Sequence, residues 1–172
     1  MHEAEMRKSE HGLEPATDGW FVLNVADAVG WSRKEGVRHV IFESDDCEFP
    51  HFGITLVVLE KDVPNCLYHR EDRQEGFLVL DGEPLLLIEG EERRLKRWDY
   101  VHFPPDATHV CVGPGVVLMI GDRSPDEQVH YPVSALAAKY GASVAEPSDD
   151  PKEAYPAAGW SRAWKQVGMA WP

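Results

Sequence analysis

The 172 residues contain no apolar run approaching the roughly 20 needed to cross a bilayer as a helix. The opening stretch, MHEAEMRKSEHGLEPATDG, has no apolar centre and no small-residue cleavage site, so it does not read as a secretory leader. Cysteine is scarce. Cys47, Cys66 and Cys111 are widely spaced and odd in number, which fits neither a disulfide framework nor a cysteine-based zinc site. A reducing, cytoplasmic location is the resulting expectation. Positive charge is also short, with 17 Lys and Arg against 30 Asp and Glu and a formal net charge of -13. The basic residues alternate with acidic ones, as in HREDRQE and EGEERRLKR. No basic stripe is left to meet phosphates, so neither nucleic acid nor a membrane is expected as a partner. Neither Ser124 nor Ser134 lies in a G-x-S-x-G context, and there is no phosphate loop or dinucleotide fingerprint. No helical period is sustained between residues 50 and 121.

What is present is a series of short strand signals. GITLVVLE (53–60) is rich in β-branched residues. EGFLVL (75–80), PLLLIE (84–89), ERRLKR (92–97), DYVHFP (99–104), THVCV (108–112) and VVLMI (116–120) follow, separated by Asp81-Gly82, Gly90, Pro105-Asp106, Gly113-Pro114-Gly115 and Gly121-Asp122. Strands this short, spaced at about 8–12 residues with turn residues between them, predict an all-β sandwich or barrel. HVIFES (39–44) and the start of WFVLNVADAVGW (20–31) are further strand candidates. Residues 1–18 are expected to be a flexible arm and residues 19–130 the barrel with its N-terminal strands. Residues 131–172 should form a C-terminal tail, with a short helix over PVSALAAKY (132–140) stopped by Gly141. GASVAEPSDDPKEAYPAAG (141–159) reads as loop. Trp160, Trp164 and Trp171 are too apolar to wave in solvent and are expected to pack on the barrel or on a neighbouring subunit.

Candidate chemistry lies in residues 69–79. If this segment is extended, the odd positions His69, Glu71, Arg73, Glu75, Phe77 and Val79 share a face. Polar donors at one end and apolar walls below them describe a pocket. One imidazole and two carboxylates are sensible ligands for a first-row divalent metal. His109, just after the turn FPPDAT, is the best candidate for one more donor. Arg73 could meet an anionic substrate group. His51 is a weaker ligand candidate, His102 is expected to face away, and His39 and His130 are taken as surface histidines. Parity turns Tyr68 away from the pocket, whereas Cys111 has the parity of His109.

These residues carry a resemblance to the cupin superfamily. Its first motif, G-x5-H-x-H-x3-4-E-x6-G, has its counterpart in Val63-x5-His69-x-Glu71-x3-Glu75-x6-Gly82, and its second, G-x5-P-x-G-x2-H-x3-N, in Trp98-x5-Pro104-x-Asp106-x2-His109-x3-Gly113. The likeness spans roughly residues 50–122. It implies a double-stranded β-helix, or jelly-roll, barrel. It also implies a metal site of His69, Glu75 and His109, with Glu71 where the family usually has a second histidine. Glu71 would be a ligand or a general base, and two carboxylates favour iron, manganese or zinc over copper. The resemblance leaves the reaction open among dioxygenase, isomerase and decarboxylase types. Many cupins lose the metal, and a non-enzymatic small-molecule or sugar-binding module is the alternative. Cupins commonly pair through strand edges, so a homodimer is expected.

Overall fold

The computed structural model describes residues 2–123, 126 and 128–168; Ser124 and Trp171 lie outside them. The strands are β1 (Met6–Ser9), β2 (Gly12–Pro15), β3 (Gly30–Ser32), β4 (Val37–Val40), β5 (Phe52–Leu59), β6 (Arg70–Glu71), β7 (Glu75–Gly82), β8 (Leu85–Ile88), β9 (Glu91–Arg94), β10 (Tyr100–Phe103), β11 (His109–Val112), β12 (Gly115–Asp122), β13 (Val129–His130) and β14 (Lys165–Val167). Two short helices, α1 (Ala135–Ala138) and α2 (Pro151–Ala157), lie in the C-terminal third. The larger sheet has the order β10-β7-β12-β5-β4-β3-β14, and a smaller one runs β11-β8-β9. All strand pairs are antiparallel. The segment before β6 extends the small sheet by bridging β11 at Pro64–Val112 and at His69–His109.

Alternation along the strands explains the layering. Val57, Leu59, Phe77, Val79 and Val117 of the large sheet meet Leu86 and Cys111 of the small one in the main core, joined by Val37 and Phe103. The opposite face of the small sheet, with Tyr68, Leu87 and Val110, is covered by Ala137 of α1 and by Ala142. The opposite face of the large sheet, with Val40, Leu56 and Val58, is covered by Ala28 and the chain around Leu23. This is the expected jelly-roll, with each sheet apolar on both sides.

Several expectations need correction. Residues 6–15, expected within a flexible arm, form the hairpin β1–β2. Its polar side chains hide it from a hydrophobic pattern, and ion pairs from Arg7 to Glu14 and Asp46 tie it down. WFVLNVADAVGW forms a single 3₁₀ turn at Val25–Asp27, and its strand comes only at its end, in β3. The loop expected at 141–159 contains α2, capped by the Asp150 side chain on the Lys152 N–H with Pro151 in the first turn. The C-terminal helix shrinks to one turn, capped by Ser134 on the Ala137 N–H. Gly141 ends it at φ +67, as expected.

Candidate metal centre and its cavity

His69 and His109 are paired through their backbones. The His69 N–H donates to the His109 carbonyl at 3.1 Å, and the His109 N–H donates to the His69 carbonyl at 2.8 Å. Residues directly opposite in an antiparallel pair place their side chains on the same face, and the two imidazole centroids stand 5.1 Å apart. Each ring is then oriented by a carbonyl. His69 Nδ1 lies 2.8 Å from the Leu67 oxygen and His109 Nδ1 lies 2.9 Å from the Ala107 oxygen. A carbonyl only accepts, so both Nδ1 atoms carry a proton and both Nε2 atoms face the site.

Glu75 arrives from the other sheet. The expected continuous extended face over 69–79 does not form. The chain pairs in β6, breaks at Asp72–Gln74 and re-enters as β7 of the large sheet. Glu75 meets the histidines because two layers face each other across this crossing. The alternation expected for Phe77 and Val79 does hold, and both are buried below it. Donor atoms of His69, Glu75 and His109 all lie within 4.8 Å of one another. His109 Nε2 is 3.3 Å from Glu75 Oε2, and His69 Nε2 is 3.2 Å from Glu71 Oε1. Glu71 therefore borders the cluster through His69.

The electrostatics suit a cation. His109 is fully buried, and its Nε2 finds no hydrogen-bond partner among the described residues. Burial, with the charge of His69, pushes its pKa down to about 4, leaving a neutral lone pair. Burial and the neighbouring Glu71 push Glu75 up to about 7. His69 is raised well above its ordinary value: burial opposes this, but Cys66 and Glu71 outweigh it. Two donors each about 2.1 Å from one ion at a near-tetrahedral angle stand about 3.4 Å apart, close to the His109–Glu75 separation. The residues present fit a divalent ion.

The cluster opens into a cavity of about 360 Å³ whose wall includes Arg33, His39, Phe77, Met119, Tyr131, Tyr155 and Trp164. This is within the size range of small-molecule sites. His39, taken from sequence as a surface residue, is buried, and burial holds its pKa down at about 4. It shares the inward parity of Val37 on β4, the signal that could have found it. Trp164 meets the His39 ring edge-on at 5.0 Å, and Trp160 is buried against Tyr155. The tryptophans thus roof the cavity. Arg73, a candidate for meeting an anionic substrate group, is held by Asp72 at 2.9 Å and does not line the cavity. Arg70 reaches Asp106 at 3.7 Å. His51 and His102 are exposed and outside the site. His130 pairs with Asp149. Tyr68 points to the outer face, and Cys111 is core.

Two facing antiparallel sheets with paired histidines and a glutamate at one end define the jelly-roll class. Residues 55–121 match the cupin domain family model, and the solved structures similar to the chain include cupin-superfamily proteins. Among solved structures it is similar to a sugar phosphate isomerase of the cupin superfamily from Silicibacter pomeroyi, at 23% identity and TM-score 0.50 over 60% of this chain and 74% of that one. An RmlC-like cupin from Shewanella frigidimarina gives 14% identity and TM-score 0.53 over 64% and 96%. The polyketide cyclase RemF from Streptomyces resistomycificus gives 13% and 0.55 over 63% and 84%. These likenesses show the fold. No curated protein matches the chain, and no helix among the described residues is long and apolar enough to cross a membrane.

Proposed function

We propose that this chain binds a small oxygen-bearing molecule at a divalent metal ion held by His69, Glu75 and His109, and that Glu71 serves as general base in an isomerase-type proton transfer. The observation that carries this reading is the buried His109 Nε2, 3.3 Å from Glu75 Oε2 and without a hydrogen-bond partner among the described residues. Burying an unsatisfied lone pair beside a carboxylate is costly, and a divalent ion would satisfy both. When bound, the ion would act as a Lewis acid on a substrate oxygen, and the carboxylate-rich donor set favours iron, manganese or zinc. The chain's own residues do the rest. Glu71 Oε1, at the cavity and outside the three-residue cluster, takes a proton from the carbon beside the bound substrate oxygen and returns it to the neighbouring carbon, so the isomerisation is proton-neutral. Phe77 and Met119 exclude water from one wall. Tyr131, whose hydroxyl burial pushes up to about 12, stays protonated as a neutral donor. The proposed protein is a homodimer. The edge strand β10 carries exposed Tyr100, and sedimentation as a monomer overturns that part.

Elemental analysis after dialysis against manganese, iron or zinc tests the ion. About one equivalent per chain is expected, lost in His109→Ala and in His69→Ala. Metal content unchanged by either variant overturns the site. Stabilisation by metabolites alone after chelation identifies a metal-free binding module instead.

A further inference from the structure

We infer that Arg33 is the anion anchor of the cavity, receiving a carboxylate or phosphate at the far end of a ligand whose near end reaches the His69, Glu75 and His109 cluster. This rests on the reading of the cavity as a small-molecule site, and it adds a substrate class to it.

The Arg33 guanidinium is held between two rings, 4.8 Å from the centroid of Tyr155 and 4.5 Å from that of Trp164. Aromatic rings occupy the faces of a guanidinium and leave its N–H edge available for the fork-like recognition of an oxyanion. That edge has not been spent among the described residues. Arg33 Nε is buried and has no hydrogen-bond partner among the described residues. A buried donor left unpaired is costly. The other arginines near the site are committed: Arg73 to Asp72, Arg123 to Glu43 and Arg38 to Glu60. In a chain with 30 acidic residues against 17 basic ones, a cation placed on a cavity wall without a carboxylate partner among the described residues stands out. Its neighbour on that wall, His39, is neutral, in part because Arg33 is positive, so it brings no competing charge. The same cavity touches Arg33 and, of the cluster, His69 and Glu75, and has about 360 Å³. The ligand is therefore small, with metal-seeking oxygens at one end and a negative group at the other.

Three probes sharing a 2-hydroxycarboxylate head separate the tail chemistries: lactate with a methyl, malate with a carboxylate and 3-phosphoglycerate with a phosphate. Calorimetric titration of the manganese-loaded protein is expected to show malate or 3-phosphoglycerate binding at least tenfold tighter than lactate, and which of the two leads identifies the anion. Arg33→Met should erase that margin while leaving lactate affinity and metal content unchanged, and Arg33→Lys should restore part of it. Thermal unfolding of both variants checks that they fold. An equal margin in wild type and Arg33→Met, or no margin in wild type, overturns the anchor. If the chain takes up no metal, the titrations are run on the metal-free protein. An Arg33-dependent margin there keeps the anchor and discards the ion.

Discussion

Phe103 lies flat against His109, with ring centroids 3.9 Å apart and planes 18° from parallel. The same residue stands opposite Glu75 in the β10–β7 register, and Phe77 closes the box at 5.3 Å from the imidazole. The proposed ligand pair is thus braced by aromatic packing and by the Ala107 carbonyl. Groups that hold a ligand in orientation commonly affect affinity by about 10–100-fold. Phe103→Leu is expected to weaken metal binding about tenfold in chelator competition. The smaller side chain should also lower stability by about 1–3 kcal/mol. Lost stability with unchanged affinity would show that the stack serves the core alone.

Metal binding should depend steeply on pH. Glu75 must lose a proton held at about 7, and His69 must lose one held above its ordinary value. Affinity therefore falls as pH drops through 7, by about tenfold per unit for each proton displaced. Calorimetry in buffers of different ionisation enthalpy should register proton release at neutral pH. Affinity that stays level from about pH 8 to about pH 6 counts against this cluster.

His39 gives an acid sensitivity of its own. Its pKa in the fold is about 4, against about 6.5 when unfolded. Between these values the unfolded chain binds the extra proton, so the stability contribution is complete above about 6.5 and is lost as pH falls towards 4. The full effect is about 3 kcal/mol at most. His39→Phe should flatten the stability profile over that window in urea titrations, relative to wild type measured with the same chelator. Parallel slopes would refute the assignment.

Trp98 occupies the third position of the turn from Lys96 to Asp99 with φ +76, a place that favours glycine. Its ring is largely exposed and packs only with Arg97 among the aromatic and cation contacts. Trp98→Gly is expected to stabilise the fold by about 1 kcal/mol, or about 2–4 °C in Tm. A lower Tm would mean the indole contributes more than the backbone strain removes.

The strands from 75 to 122 were legible because Gly, Pro and Asp mark their ends and β-branched residues fill them. Asp106, standing where the second motif has a turn glycine, takes the left-handed conformation at φ +69. His69, Glu75 and His109 were legible through their motif spacing, although their convergence comes from two sheets and not from one extended face. The β1–β2 hairpin was hidden because its pairing is carried by backbone bonds and surface ion pairs. Helix α2 had a readable start in Asp150-Pro151, masked by Pro156 inside it. Arg33 had no local signal, since its place depends on Tyr155 and Trp164, more than a hundred residues further along the chain.

The proposed ligands, His69, Glu75 and His109, all fall inside the stretch that matches the family, residues 55–121. Arg33, His39, Tyr155 and Trp164 all fall outside it, on segments that fold back from both ends. On these proposals, the ligands of the ion and the anchor for an anionic group are therefore written in separate parts of the chain. Drift in the flanks can admit a different molecule while every donor atom keeps its position, so diversification of substrate need not pass through a protein that has lost its metal.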